Sequence, residues 1–344
     1  MGKVYYRPIG LSHGEAALRS VVRGAAGRLG GHQSIAFHAV EMIERREPHV
    51  LREVIAYGDL PKSDALARIE QSRAPYTGAP AIMGIVNVTP DSFSDGGKNA
   101  ETDAAIAHGL KLAEEGATIL DVGGESTRPG SEAVSEEQEL ARVIPVIEAL
   151  AQARHLVSCD TRKPNVMRAA VKAGAAIIND VSALRYDPAS AATIAALGVA
   201  AMLMHAQGDP RTMQLSPVYD NVALDVYDHL EERVAAARAA GIEQLVIDPG
   251  IGFGKSFAHN LEVLSQLTLF HGLGAPLMVG LSRKAFIGAL TGEKVAGKRV
   301  NGSVGGAVHA ALMGAHILRV HDVKATVEAL AVAWAAVDPA ASGI

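Results

Sequence analysis

From residue 81 onward, short apolar runs alternate with longer segments of helical periodicity. The first run, Ala81–Val88, is rich in β-branched residues and is interrupted by a single polar residue, Asn87. Runs of this length and composition are typical of strands buried in a parallel sheet. Seven further runs follow, at residues 118–122, 155–160, 175–180, 199–205, 244–248, 276–281 and 316–321. The pattern predicts eight strands.

Segments with helical periodicity separate these runs. They lie at residues 103–115, 135–151, 164–173, 188–197, 221–240, 260–269, 307–313 and 323–335. Several of them end at a glycine, as at Gly116 and Gly198, where a helix C-cap is expected. Eight strand–helix units in about 250 residues is the size of a (β/α)₈ barrel. A doubly wound sheet shares the alternation, but no Gly-x-Gly-x-x-Gly turn follows the first run. We therefore predict an α/β fold of the (β/α)₈ TIM-barrel type.

Residues 1–76 have a weaker pattern. Helical periodicity over Ile35–Glu53 and over Leu60–Gln71 predicts two helices, and the cluster Ala74–Pro80 is typical of a linker. A segment this short buries little surface by itself. We expect residues 1–76 to form an N-terminal extension, of a structure that the pattern does not define, packed on the outside or bottom of the barrel. Residues 77–344 are expected to form the barrel itself.

Composition narrows the class of protein. Half of the chain is apolar (49%) and only 4% is aromatic, which suits a parallel sheet with closely packed helices. The net charge of −5 argues against nucleic acid or a membrane surface as a partner. The single cysteine, Cys159, excludes an internal disulfide framework and suggests a reducing, cytoplasmic location. No apolar run reaches the roughly 18 residues of a membrane span, and the first ten residues lack the apolar core of a secretory signal.

Every predicted strand ends in a side chain that can hydrogen-bond or carry a charge. These residues are Asn87, Asp121, Asp160, Asn179 with Asp180, His205, Asp248, Ser282, and Arg319 with His321. In a barrel, the carboxyl ends of the strands surround one mouth, where active sites are built. One such residue would usually be a helix cap or a turn residue. A polar residue at the end of all eight strands predicts a binding site instead.

The acids and the amide of this ring indicate what it binds. A carboxylate accepts two parallel hydrogen bonds, so these groups match a flat heterocycle with a guanidine-like edge of N–H donors. The alternative is that the same acids form a cage for a divalent metal ion. No His-x-His or His-x-x-x-His spacing for zinc is present. We favour the heterocycle, and a single Mg²⁺ at its edge stays open.

The loops after the strands add further candidates. Ser282 is expected to cap a helix that begins near Lys284, and this helix start is expected to attract an anion. Arg319 and His321 lie two residues apart on one strand and point to the same side, where they could neutralise a phosphate-rich leaving group. The alternative for both is an ordinary ion pair with Asp322 or a neighbouring residue. Phe253, in a glycine-rich loop, could pack on a planar ring.

Seven motifs of the sequence, in this order, resemble the dihydropteroate synthases of folate biosynthesis. They are NVTPDSFSDGG, DVGGESTRPG, CDTRKPNV with IND, MHAQGDPRTMQ, DPGIGFGK, GLSRKAF and RVHDV. The resemblance covers about Ala81–Ala335 and leaves residues 1–76 outside. One departure is Ala206, where the family usually has Met, and it concerns only the packing around the fifth strand.

The resemblance implies a transferase that joins 4-aminobenzoate to 6-hydroxymethyl-7,8-dihydropterin diphosphate, releasing diphosphate. It implies small-molecule substrates, a homodimer, and Mg²⁺ held with the help of Asn87. The implied catalytic residues are Asp121, Lys284, Arg319 and His321. The implied contacts of the pterin diphosphate are Thr127, Asp160, Asn179, Met204, Asp248, Lys284, Arg319 and His321. Those of 4-aminobenzoate are Thr127, Arg128, Pro129, Phe253 and Ser282.

The chemistry of the two substrates favours a dissociative, SN1-like substitution. The arylamine is neutral at pH 7 and needs no strong base, so the difficult event is departure of diphosphate. The electron-rich dihydropterin can carry the developing cation beside a carboxylate such as Asp121. Two alternatives remain, a pterin-dependent methyltransferase on the same barrel and a non-catalytic pterin-binding paralogue. The presence of Arg319, His321 and the loop Thr127–Gly130 argues against both.

Overall fold

The structure is a computed structural model that describes residues 2–46, 49–88, 98–126, 134–208, 213 and 215–337. Its N-terminal part contains the strands β1 (Lys3–His13), β2 (Gly27–Arg28), β3 (Ile35–Arg46) and β4 (His49–Ala56), with the helices α1 (Gly14–Val22) and α2 (Asp64–Glu70). Eight more strands follow: β5 (Ala81–Asn87), β6 (Ile119–Gly123), β7 (Val157–Asp160), β8 (Ile177–Asp180), β9 (Ala200–Met204), β10 (Leu245–Asp248), β11 (Met278–Val279) and β12 (Ile317–Val320). The helices that alternate with them are α3 (Lys98–Glu114), α4 (Glu136–Gln152), α5 (Pro164–Lys172), α6 (Ser190–Leu197), α7 (Val222–Ala239), α8 (Phe257–Ser265), α9 (Ala285–Thr291), α10 (Val300–Leu312) and α11 (Val323–Val337).

Strands β5 to β12 form one parallel sheet that closes into a barrel. They are hydrogen-bonded in the order β10-β9-β8-β7-β6-β5-β12-β11. An isolated parallel bridge between Ile247 and Leu277 joins the two end strands, β10 and β11. The predicted (β/α)₈ barrel is confirmed. Its weakest seam lies beside β11, which has only two residues.

Side chains alternate between the two faces of each strand, and this alternation determines where the active-site residues lie along the barrel axis. One layer of the barrel interior is apolar and consists of Met83, Ile119, Ile177, Met202, Val246, Met278 and Ile317. Because side chains alternate between the two faces of a strand, the next inward residue stands two positions further on. Those positions carry the polar residues Asp121, Asn179, Asp248 and Arg319, together with Ile85, Met204 and Gly280. The polar ring of the mouth therefore rests on a packed apolar layer.

The N-terminal residues fold as an antiparallel sheet, which we call the N-terminal sheet module (residues 2–70). Strand β3 pairs with β1 on one edge and with β4 and β2 on the other. The prediction of a helix over Ile35–Glu53 is therefore wrong. Ile43 packs into the large barrel cluster, whereas Phe37 and Val40 pack into a separate cluster of the module. Because both faces of β3 are buried, its apolar residues recur at helical spacing. Within Leu60–Gln71, the second predicted helix, the structure has the shorter helix α2, which is N-capped by Ser63.

The module packs on the outside of the barrel. Lys3 Nζ lies 2.5 Å from Asp228 Oδ1 of α7, and Tyr5 Oη donates to the same carboxylate at 2.8 Å. Arg45 also bonds Asp228, at 3.2 Å. Thr268 Oγ1, in the 3₁₀ helix Leu267–Leu273, donates to the carbonyl of Pro8 at 2.7 Å. These contacts join strands of the module to α7 and to the segment before β11.

Arg73 forms a deeply buried link between the module and the barrel. Its guanidinium donates to the carbonyls of Ala275 at 2.9 Å and His271 at 2.8 Å on the barrel side. It also donates to Arg68 at 2.9 Å and Gln71 at 2.8 Å at the end of α2. Its exposed fraction is 4%. One side chain thus satisfies the last carbonyls of α2 and two carbonyls of the segment before β11.

Three buried histidines lie at the same junction. The rings of His32 and His316 stack with centroids 4.4 Å apart, and His271 meets His316 edge-on at 5.5 Å. His316 Nδ1 accepts from Leu277 N at 2.9 Å, and its Nε2 donates to Gly30 O at 3.0 Å, which requires the neutral ring. Burial lowers the pKa of all three imidazoles, and the Arg73 charge acts in the same direction.

This histidine cluster predicts a loss of stability in acid. A histidine whose pKa is lower in the folded state than its usual 6.5 binds protons in the unfolded chain first, so folding weakens as pH falls below 6.5. Below pH 6.5, we expect the free energy of unfolding of His32→Gln to fall by about 1.4 kcal/mol less per pH unit than that of the wild-type protein. Urea unfolding of both proteins between pH 8 and pH 5 measures it. Equal slopes for the two proteins would contradict the prediction.

Within the described part of the chain, no helix combines the length and the apolar character needed to cross a bilayer.

Candidate active site

Five of the predicted residues converge on one point inside the barrel mouth. Arg319 Nε donates to Asp121 Oδ2 at 2.6 Å, and its Nη2 donates to Asp160 Oδ2 at 2.9 Å. Asn179 Nδ2 donates to the same Asp121 oxygen at 3.1 Å. Asp248 lies beside Gly280, which in turn faces the Arg319 side chain. The alternating period of the strands therefore produces a connected cluster of two acids, an amide and a guanidinium.

Asp121 carries an unused acceptor. Its carboxylate is fully buried, and its Oδ1 has no hydrogen-bond partner among the described residues. A buried carboxylate oxygen without a partner is costly, so such an atom marks a place where a donor or a positive charge is expected. Asp121 can meet a ligand here without giving up either of its bonds to Arg319 and Asn179.

Arg319 does not pair with Asp322, and its ion pairs are instead with the neighbouring acids Asp121 and Asp160. Asp322 is bonded by Arg283, whose Nη2 lies 2.5 Å from Oδ1 and whose Nε lies 3.0 Å from Oδ2. Because Arg283 occupies both oxygens of Asp322, Arg319 bonds the acids inside the barrel instead. His321 likewise faces Ser282, with its Nδ1 3.1 Å from Oγ and its backbone N–H donating to Oγ at 3.2 Å.

Ser282 does not cap a helix, contrary to the prediction. Helix α9 begins at Ala285, its N-cap residue is Lys284, and no side chain caps it. Ser282 instead fixes the position of His321. The tight turn before α9 has Arg283 at φ 60°, which displaces the start of the helix by two residues from the serine.

Electrostatics in the ring depend on burial. Burial raises the pKa of Asp160, an effect that the Arg319 charge opposes and the Asp121 charge reinforces. Burial also raises the pKa of Asp248, against the Lys284 charge. In the opposite sense, burial lowers the pKa of Lys284 to about 7, although Asp248 favours its charged form. The ring therefore holds groups that change charge near neutral pH.

Lys284 joins the ring to the glycine-rich loop after β10. Its Nζ donates to the carbonyl of Ile251 and lies 4.3 Å from the centroid of the Phe253 ring. Gly252 has a φ of 83°, which favours glycine, and a Cβ there would approach the Lys284 side chain to 2.6 Å. Gly250 N donates to Asp248 Oδ1 at 2.7 Å. These contacts bring Phe253, Lys284 and Asp248 together.

The residues Thr127, Arg128 and Pro129 lie outside the described residues. The two ends of their segment are described, and a buried charge network links them. Lys163 Nζ donates to Glu125 Oε2 at 3.0 Å and to Val134 O at 2.7 Å. It also bonds Glu139 Oε2 at 2.5 Å.

Lys163 and Lys255 were not among the site residues predicted from the sequence. Lys163 follows a strand end directly, in the motif CDTRKP, and Lys255 ends the motif DPGIGFGK. A lysine is rarely placed where it will be fully buried unless a specific set of acceptors surrounds it. The position of each lysine, in a loop that follows the carboxyl end of a strand, was the feature of the sequence that could have indicated a role near the site.

Asn87 ends β5 and is half-buried at the barrel mouth. Among the described residues, no group of three or more His, Cys, Asp or Glu side chains is placed to hold a metal ion. The cage of acids considered above is therefore not formed by the described residues, since Asp121 and Asp160 bind Arg319 instead. A single amide oxygen does fit Mg²⁺, which keeps several waters and takes most other ligands from substrate phosphates.

Comparison with known proteins identifies relatives of the barrel. A sequence model of the family described as pterin binding enzyme matches residues 83–321. Dihydropteroate synthase of Escherichia coli (strain K12) is 50% identical over 256 residues, which are 74% of this chain and 90% of the relative. A solved structure of Xanthomonas albilineans dihydropteroate synthase with 4-aminobenzoic acid has 56% identity and a TM-score of 0.71, and covers 75% of this chain and 93% of that chain. The Yersinia pestis enzyme in a sulfonamide drug complex has 47% identity and a TM-score of 0.71, with 75% and 94% covered.

Proposed function

The chain belongs to the pterin-binding enzymes, and within them to the dihydropteroate synthases, and from this premise we propose how its own residues carry out the reaction. The enzyme joins 4-aminobenzoate to 6-hydroxymethyl-7,8-dihydropterin diphosphate and releases 7,8-dihydropteroate and diphosphate, a transferase step of folate biosynthesis. The observation that supports our assignment of roles is the cluster in which Arg319 bonds both Asp121 and Asp160.

The pterin binds in the ring of acids. Asp160, Asn179 and Asp248 stand at or near the carboxyl ends of β7, β8 and β10, and each offers an oxygen acceptor to the heterocycle edge. Lys284 supplies a donor from the opposite side of Asp248, and Met204 supplies an apolar wall. Carboxylates that meet a fork of N–H donors bind it with two parallel hydrogen bonds, which fixes the plane of the ring.

The diphosphate binds at the edge of the ring near Arg319 and His321. Arg319 brings a permanent positive charge, and Ser282 orients the imidazole of His321. Asn87, with Mg²⁺, and Thr127 complete this end of the site in the proposal. Bound Mg²⁺ would neutralise charge on the departing diphosphate. Arg319 and His321 stabilise the same anion through direct contact.

The reaction is a dissociative substitution. The bond between the pterin methylene and the diphosphate oxygen breaks, the pair of electrons leaves with diphosphate, and the dihydropterin carries the cation. The free Oδ1 of Asp121 is buried close to this ring and stabilises the positive charge. The arylamine nitrogen then attacks the methylene, and the released amine proton passes to solvent or to diphosphate.

4-Aminobenzoate binds between Phe253 and Ser282 in this proposal, and the resemblance adds Thr127, Arg128 and Pro129 to its contacts. Phe253 offers a ring face next to Lys284, which places the arylamine close to the pterin. Because a sulfonamide drug is bound in the related Yersinia pestis structure, we propose that sulfonamides compete with 4-aminobenzoate here as well.

The enzyme acts as a homodimer in the cytoplasm in this proposal. The cytoplasmic location is supported by Cys159, the single cysteine, which is free and buried. The outer helices of the barrel, rich in alanine, permit the close packing that a dimer needs. Sedimentation of the purified protein measures its oligomeric state.

The test of the proposed function is release of diphosphate by the purified protein. Release from the pterin diphosphate with Mg²⁺ should rise when 4-aminobenzoate is added, and dihydropteroate should form in equal amount. Pterin binding without product would instead indicate a non-catalytic paralogue. Methyl transfer from a methylated folate would indicate the methyltransferase.

Pterin binding should weaken as pH rises above 7. Lys284, with its pKa lowered to about 7, is charged below this pH and loses its proton above it, so its strongest donor interaction is lost on the alkaline side. We expect the Kd of 6-hydroxymethyl-7,8-dihydropterin, which lacks the diphosphate and whose ring does not titrate in this range, to rise about tenfold by pH 8.5. In Lys284→Arg the charge persists at every pH, and the alkaline rise should disappear. Calorimetry at pH 6.5 to 8.5 compares the two proteins.

A further inference from the structure

Lys255 is a buried lysine outside the proposed contacts with substrate. It has an exposed fraction of 1% and is one of the largest fully buried side chains. Its Nζ donates to His205 Nδ1 at 2.8 Å, to Gly250 O at 2.9 Å and to Phe253 O at 3.2 Å. An ammonium group has three donors and no acceptor, and here all three donors are used on neutral partners.

The loop that Lys255 holds is the glycine loop, residues 250–254. Its glycines at 250, 252 and 254 all have positive φ, at 66°, 83° and 57°. A Cβ on Gly250 would lie 1.8 Å from the carbonyl oxygen of His205, and one on Gly254 would lie 2.5 Å from that of Gln207. The loop is therefore pressed against the segment after β9, with no space for side chains on that side.

A loop so rich in glycine has many backbone conformations, and only specific contacts select one. Tyr219 Oη donates to Gly254 O at 2.6 Å, and Asn260 Oδ1 accepts from Gly252 N at 2.6 Å. Each of these two side chains bonds a single residue of the glycine loop. Lys255 binds the carbonyls at both ends of the turn Gly250–Phe253 and connects them to His205.

His205, which accepts from Lys255, is itself held in place by the barrel sheet. It is 5% exposed, and its backbone N–H donates to Asp248 O at 2.9 Å, across the pair of strands β9 and β10. Lys255 therefore connects His205, at the end of β9, to the carbonyl of Phe253. The Phe253 ring, on the other side of the same residue, lies against Lys284.

We propose that Lys255 is a positioning residue that fixes the Phe253 ring, and through it the 4-aminobenzoate end of the site. The inference rests on the proposed placement of 4-aminobenzoate against Phe253. Lys255 itself touches neither substrate. Burial lowers the pKa of Lys255, an effect that the Asp248 charge opposes and the Lys284 charge reinforces.

The test is Lys255→Met, which keeps the length and apolar stem of the side chain and removes the three donors. We expect the KM for 4-aminobenzoate to rise about tenfold, with kcat and the Kd of 6-hydroxymethylpterin changed less than about threefold. Thr268→Val is the matched control, since it removes a buried hydrogen bond at the module junction. Its thermal stability should fall while both constants stay at their wild-type values.

A double-mutant cycle with Phe253→Ala separates the inference from the proposed function. Phe253→Ala should raise the same KM, and adding Lys255→Met to it should raise that KM no further. If Phe253→Ala raises the KM and Lys255→Met does not, the inference is wrong and the proposed site stands. If Phe253→Ala leaves the KM unchanged, the placement of 4-aminobenzoate fails, and the inference fails with it.

Tyr219→Phe keeps the test decisive if Lys255→Met does not fold. It removes one outer bond of the glycine loop and leaves Lys255 in place. A small rise in the KM for 4-aminobenzoate, about twofold to threefold, is expected, because one of several loop contacts is lost. An unchanged KM in Tyr219→Phe would overturn the view that these loop contacts position Phe253.

Discussion

Asp121→Asn lowers kcat by about 10²- to 10³-fold while the protein stays folded, the size of effect seen when one group that stabilises transition-state charge is removed. The carboxylate is buried, and its Oδ1 is free to face the developing cation. The amide keeps an oxygen for Arg319 and Asn179, but it loses the negative charge. Arg319 retains its bond to Asp160, so the ring keeps its geometry.

Single-turnover formation of dihydropteroate, with both substrates saturating, measures this effect without the contribution of product release. Asp180→Asn is the matched control. Asp180 is also a buried carboxylate at a strand end, but it points away from the ring and caps a turn through Ser182 and Leu184. That variant should lose stability and keep its turnover. Full turnover in Asp121→Asn would show that the carboxylate has no part in charge stabilisation.

Arg73→Met is expected to lower the free energy of unfolding by about 3–5 kcal/mol, because several buried carbonyls lose a charged donor at once. The carbonyls belong to the end of α2 and to the segment before β11, which no other described side chain joins in this way. Methionine fills the volume but offers no donor. The N-terminal sheet module should separate from the barrel at a lower denaturant concentration.

Urea unfolding followed by circular dichroism measures this loss, and Arg68→Met provides the comparison. Arg68 lies on α2, is exposed, and donates one hydrogen bond, from Nε to Gly272 O at 3.1 Å. It should cost about 1 kcal/mol or less. If both variants lost the same small amount, Arg73 would be only one of many equivalent contacts.

The barrel and its polar ring were predictable because they follow from local rules. A buried parallel strand is a short apolar run, and its last inward residue lies at the mouth. Asp121, Asn179 and Asp248 each stand two residues beyond an apolar residue of the lower layer. The sequence therefore predicted which residues share the mouth. It did not predict that Arg319 would bond Asp121 and Asp160, since pairing across the ring depends on side-chain length and on the tilt of the strands.

The N-terminal sheet module was not predictable by the same rules. Strand β3 buries Val40 on one face and Ile43 on the other, which gives a spacing of three that is equally typical of a helix. The role of Ser282 was missed for a related reason. A serine just before a helix is usually a cap, but the left-handed backbone at Arg283 turns this one toward His321. Both cases depend on tertiary contacts.

The bonds from Arg319 to Asp121 and Asp160 have a consequence for selectivity. A pterin presents a guanidine-like edge, the same fork of N–H donors that Arg319 presents to these acids. In the proposed site, the pterin edge takes the place of Arg319 at Asp160, while Arg319 keeps its bond to Asp121, so the Asp160 carboxylate does not lose a donor. A heterocycle without that fork would break the bond between Arg319 and Asp160 and return none, which leaves a buried carboxylate unpaired. The ion pair between Arg319 and Asp160 therefore sets the selectivity of the site. Only a ligand that presents the same fork of donors can replace Arg319 at this carboxylate without a loss of hydrogen bonds.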